Sequence, residues 1–172
     1  MEKTLVFIDA GFLSKVNKEF GGGIPNKFDI LKFVKQITGK ENLIFNHLFY
    51  YTAPPFQSNN PSNDEKKRRE RYDKFIENLR QSNEITIREG RCQRLRVDGQ
   101  FIFKQKGVDT FVIMDLMEIP IKYPKIKSII LIASDSDFVP IIQKLRSYGI
   151  EIILYTYFDK KRNSFFLPQT NC

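Results

Sequence analysis

Apolar residues gather in this chain in two alternating rhythms. Thr4 to Ile8, Leu43 to Tyr51, Ile129 to Ala133 and Glu151 to Tyr155 are short, nearly unbroken apolar runs, the pattern of strands buried on both faces. Between them the apolar positions return at helical spacing. Phe28, Ile30, Leu31, Val34 and Ile37 precede Gly39; Tyr72, Phe75, Ile76 and Leu79 stripe Asp64 to Arg80; Phe111, Val112, Met114, Leu116 and Met117 lead to Ile119-Pro120; Phe138, Ile141, Ile142 and Leu145 precede Gly149. Glu84 to Arg88 alternates apolar and polar as a further strand, and Arg91 to Lys104 reads as a β-hairpin turning at Asp98-Gly99. Gly21-Gly22-Gly23 follows no strand and lacks the Lys-Ser/Thr of a phosphate loop, so it reads as a flexible linker. Alternating strands and helices predict an α/β fold with a parallel, doubly wound sheet, carrying a hairpin insertion around residues 88–104. A length of 172 residues is expected to form a single domain over 1–172 with a core that needs no staples.

The strand ends carry the chemistry. The first strand stops in Asp9-Ala10-Gly11, and the run ending at Ala133 turns through Ser134-Asp135-Ser136-Asp137 into a helix with Pro140 in its first turn. Asp109 opens the helix that follows the hairpin. One such Asp is usually an N-cap. Four at the same sheet edge exceed what capping needs and repel one another unless a cation or proton intervenes. Their oxygen ligands suit one or two Mg2+ or Mn2+ ions completed by water and substrate phosphate, the arrangement of a metal-assisted phosphodiester hydrolase. Lys106, one turn before Asp109, is a candidate to touch the phosphate or balance the acids, and Ser134 and Ser136 to orient ligands. Asp115 lies about 240° round the helix from Asp109 and does not share its face.

Charge adds a partner. Twenty-eight Lys and Arg against twenty Asp and Glu leave a net charge of +8, which suits a polyanion. Lys66, Lys67, Arg68, Arg69 and Arg71 crowd the start of one helix, where cations oppose the macrodipole. Arg91, Arg94, Arg96 and Lys104 punctuate the hairpin, interleaved with Phe101 and Phe103. Cations with aromatic rings suit single-stranded nucleic acid, although two Phe at spacing two also fit one buried face of the hairpin, the commoner arrangement. The Pro54-Pro55 to Ser62 loop is a candidate substrate contact. Cys92 and Cys172 form no disulfide framework, His47 alone reads as a packed histidine, and zinc is disfavoured. With no long apolar segment, the expectation is a soluble cytoplasmic protein without membrane contact. Phe165-Phe166-Leu167 offers a candidate homodimer surface.

Three blocks, Phe7-Ile8-Asp9, Lys106-Gly107-Val108-Asp109 with Asp115 following, and Ser134-Asp135-Ser136-Asp137-Phe138, together resemble the NYN branch of the PIN-like nuclease superfamily, in particular its LabA/DUF88 type. The resemblance implies a Rossmann-like three-layer α/β/α sandwich. It also implies a magnesium- or manganese-dependent endoribonuclease acting on RNA, with Asp9, Asp109, Asp135 and Asp137 as its acidic residues and Asp115 as an outlying member. Two positions depart from the family pattern: Phe12 stands where an Asn is common, and Ser134 where a Gly is usual. The alternative is an RNA-binding or regulatory protein that retains the fold with weak or no catalysis.

Overall fold

The computed structural model describes residues 1–157. The chain runs through β1 (Lys3–Asp9), α1 (Ala10–Phe20), α2 (Ile30–Lys40), β2 (Ile44–Thr52), α3 (Asn63–Arg80), β3 (Ile85–Glu89), β4 (Arg91–Val97), β5 (Gln100–Lys106), α4 (Val108–Lys122), β6 (Ser128–Ile132), α5 (Val139–Ser147) and β7 (Glu151–Tyr155). A 3-10 turn, Ser136–Phe138, leads into α5. Phe165-Phe166-Leu167, the candidate dimer surface, and Cys172 lie outside the described residues.

Five strands form one sheet in the order β3-β2-β1-β6-β7, every neighbouring pair parallel. Leu5 to Ile8 of β1 are fully buried, as a strand covered on both faces must be. Alternation sorts its side chains. Leu5 and Phe7 join a core with Phe49, Val112, Leu116 and Leu145 under α4 and α5; Val6 and Ile8 join Ile30, Val34 and Leu48 under α1 and α2. The result is the expected three-layer sandwich, and the strand order reverses between β1 and β6. In doubly wound sheets that switch point opens the crevice where ligands bind.

Three readings of the sequence need correction. The three glycines end a helix rather than link two elements. Gly23 N–H bonds Lys18 O at 2.8 Å, and a Cβ on Gly21 would stand 1.8 Å from Ile24 O, so the stop requires glycine. Its helix, α1, was signalled by Asp9 as N-cap and by Phe12, Leu13, Val16 and Phe20 on one face. Next, the first turn of α3 is acidic, with Asp64, Glu65 and a Ser62–Glu65 capping box. Lys66 to Arg71 occupy the turns beyond it, so the macrodipole does not oppose them, and Arg69 pairs with Asp73. Finally, the hairpin forms a separate two-stranded sheet, and Phe101 and Phe103 are 58% and 56% exposed rather than buried.

Candidate functional site

Three different connections bring the four aspartates to the carboxyl end of the sheet. Asp9 closes β1 and caps α1, its Oδ1 accepting from Gly11 N–H at 2.9 Å and Phe12 N–H at 3.2 Å. Asp109 lies in the first turn of α4, which starts from Gly107 at φ +82°. Asp135 caps the 3-10 turn after β6, its Oδ1 accepting from Asp137 N–H at 2.9 Å. Capping therefore accounts for Asp9 and Asp135, and in each case occupies one oxygen and leaves the other without a hydrogen bond in the cap. Asp109 and Asp137 cap nothing and face solvent.

Two of the four sense their neighbours. Burial lifts the Asp9 carboxyl above its ordinary range against the two capping N–H groups; the charge of Asp135 adds to the lift and Lys15 tempers it. Asp109 is also lifted, first by partial desolvation and then by Asp135, Asp9 and Asp137. The ion pairs formed among the described residues leave all four out. As placed, no three acid, His or Cys side chains among the described residues close around one point as the ligands of a single ion would. The donor set is nevertheless all carboxylate. That fits a hard divalent cation held by one or two direct carboxylates with water completing the shell, the usual manner of Mg2+, better than a dehydrated cage.

Asp115 does not join this group. It is 6% exposed, takes two hydrogen bonds from Arg88 at 2.9 and 3.1 Å and a third from Tyr51 Oη at 2.9 Å, and ties α4 to β2 and β3. Lys106 ends β5 in exposed surface; Ser134 is half-buried and Ser136 exposed beside the two aspartates. His47 bonds Thr86 Oγ1 at 2.8 Å within the sheet, and burial lowers its pKa, so it is a packing residue. Phe12 packs against the α1–α2 core and lines an apolar cleft with Leu13, Val16, Phe28 and Tyr157, which accounts for an apolar side chain at that position.

Two neighbours of the site escape sequence reasoning. A Cβ on Gly11 would stand 3.2 Å from Asp9 Oδ1 and 3.2 Å from Gln105 Oε1, so the glycine leaves room for the base of the hairpin beside the start of α1. Phe56, in the loop after β2, packs on Phe103 with ring centroids 5.5 Å apart and lies 4.9 Å from the Arg94 guanidinium. The Pro-rich loop flagged the region but no spacing linked it to the hairpin.

In a doubly wound α/β domain the switch point is where ligands bind, and here it carries a group of carboxylates. This chain belongs to the NYN domain family, whose pattern it matches over residues 3–167, and so falls within the PIN-like nuclease superfamily. No curated protein matches it. Among solved structures it is similar to a crystal structure of a protein of unknown function, VPA0982, from Vibrio parahaemolyticus RIMD 2210633. The TM-score is 0.55 at 20% identity over 90% of this chain and 81% of that one, a likeness of fold. No helix among the described residues is long and apolar enough to cross a membrane.

Proposed function

We propose that this protein is a metal-dependent endoribonuclease that hydrolyses phosphodiester bonds in single-stranded RNA, with Asp9, Asp109, Asp135 and Asp137 as its site. One observation carries the reading. Four carboxylates from three connections lie at the switch point of an NYN domain, two of them lifted by burial and by the charges of the others, and no ion pair among the described residues includes any of them. Mg2+ or Mn2+, one ion or two, would be held there by these four, one or two directly and the rest through water, and, when bound, supplies a water of lowered pKa and neutralises charge on the scissile phosphate.

The chain's own groups prepare the site. The α1 N–H groups fix the orientation of Asp9, and the Asp137 N–H fixes Asp135, so that each presents its remaining oxygen from a rigid sheet edge. Asp109 and Asp137 stand at the solvent side. Lys106 and the hairpin cations Arg91, Arg94, Arg96 and Lys104 draw a polyanion toward this edge, and Lys66, Lys67, Arg68, Arg69 and Arg71 of α3 extend the basic surface.

The test is cleavage of end-labelled single-stranded RNA with Mn2+ or with EDTA, comparing wild type with Asp9→Asn and Asp109→Asn. Asn retains an N-cap acceptor at position 9, so loss of activity reports charge rather than folding. Cleavage that needs metal and disappears in both variants supports the nuclease. RNA binding with no cleavage by any of the proteins would favour the regulatory reading instead.

A further inference from the structure

The hairpin carries an arrangement that neither capping nor packing explains. Strand alternation gives it two faces. Pairing sets Arg94 opposite Phe103, Arg96 opposite Phe101 and Cys92 opposite Gln105, so these six share one face. The other face carries Arg91, Lys104 and Lys106 among Leu95 and Ile102. Neither strand contains an acid. On the first face the Arg94 guanidinium lies 4.5 Å from the Phe101 centroid and 4.9 Å from that of Phe56, which in turn packs on Phe103. These contacts hold the rings in place through cation–π attraction, yet more than half of Phe101 and of Phe103 stays in water.

The direction of this face is informative. Gln105, at its inner end, brings its Oε1 within 3.2 Å of where a Cβ on Gly11 would stand, two residues from Asp9, and Phe103 and Phe101 follow outward at about 6.8 Å per two residues. A ladder of aromatic planes interleaved with guanidinium groups thus leads away from the carboxylates. Charge complementarity selects its occupant: a polyanion whose bases are free to stack, and not a duplex, whose bases are already stacked on one another.

We propose that this face is a track for single-stranded RNA, with successive unpaired bases stacking on Phe103 and Phe101, phosphates meeting Arg94 and Arg96, and the strand continuing past Gln105 to the aspartates. The proposal rests on the nuclease reading for what happens at the inner end, but the track itself is a binding site and is tested without catalysis. It makes the enzyme selective for substrates with an unpaired extension of two or more nucleotides on one side of the cut.

The experiment is fluorescence anisotropy of a labelled oligouridine in EDTA, where no cleavage occurs, using the full chain with Phe101→Ala, Phe103→Ala, Phe101→Leu and Phe101→Trp, and a blunt RNA duplex as competitor. Each Ala variant is expected to weaken single-strand binding about 5- to 150-fold. Leu, which keeps apolar bulk and strand preference, should weaken it similarly, and Trp should restore it. The duplex should compete poorly. Unchanged affinity in Phe101→Ala and Phe103→Ala would overturn the track, as would a Leu variant that binds like wild type. A change in sedimentation without a change in RNA affinity would also overturn it, marking the rings as a protein contact. Loss of affinity in the Ala variants together with an absence of cleavage by wild type would uphold the track and remove the nuclease.

Discussion

Asp115 lies on the buried side of α4, 6% exposed, while the side chain of Arg88, which holds it in a two-pronged pair, is 42% exposed. That asymmetry decides which half of the pair is costlier to remove. Arg88→Met leaves a buried carboxylate with only the Tyr51 hydroxyl to compensate it, a loss of about 3 kcal/mol at the lower end of the range for broken buried pairs. Asp115→Asn leaves a guanidinium that water can reach and an amide oxygen that still accepts from Tyr51, so its cost is about 1–2 kcal/mol. Tyr51→Phe removes a hydrogen bond to a charged acceptor without opening a cavity, about 1.5–3 kcal/mol, and leaves the ring beside Phe7. In the double variant Arg88→Met/Asp115→Asn no buried charge remains, and it should be more stable than Arg88→Met alone. For a chain of this size about 3 kcal/mol corresponds to a drop of about 6–12 °C in Tm. Thermal melts followed by circular dichroism, with urea titrations for the free energies, read the whole cycle. A smaller loss for Arg88→Met than for Asp115→Asn would refute the reasoning. Abolition of metal-dependent cleavage by Asp115→Asn at unchanged Tm would return Asp115 to the site.

Asp109→Asn should stabilise the metal-free protein at neutral pH. Asp9 and Asp109 titrate above the ordinary carboxylate value of 3.8 in the fold, so the stability they contribute is complete below that value and is lost as pH rises through their folded-state values. The Tm difference between variant and wild type in EDTA should accordingly vanish toward acid pH and grow above it; a constant difference would show that repulsion is not its source. Added Mn2+ should raise the wild-type Tm more than that of Asp109→Asn, since a ligand of the folded state stabilises by mass action, and equal shifts would place metal binding elsewhere. Gly90→Ala should cost about 1–3 kcal/mol by urea denaturation. Its Cβ would stand 2.5 Å from Lys106 O and 2.8 Å from Val108 Cγ2, where the hairpin leaves β3 and returns to α4. A change under about 0.5 kcal/mol would mean that the junction is not closely packed.

Periodicity alone was enough to place the strands, four of the five helices and the hairpin, because burial of a parallel strand on both faces and of a helix on one leaves a strong pattern in the residues themselves. The same alternation made Asp9, Asp135 and Asp137 strand-end residues and Asp109 a helix-start residue from the sequence. Helix α1 escaped because its stop, Gly21 to Gly23, also has the composition of a linker, and only its hydrogen bonds back to Lys18 and Glu19 distinguish the two. Tertiary structure alone decided the fate of residues whose partners are remote in sequence. Asp115 is six residues from Asp109, yet Arg88 and Tyr51 claim it, and no local spacing encodes a pair 27 or 64 residues apart. Likewise Phe101 and Phe103 fit a buried hairpin face by spacing, but the hairpin pairs with nothing in the main sheet and meets Phe56 and Gly11 from other connections. Local sequence determines which face of an element is apolar; only the packed chain determines what, if anything, covers that face.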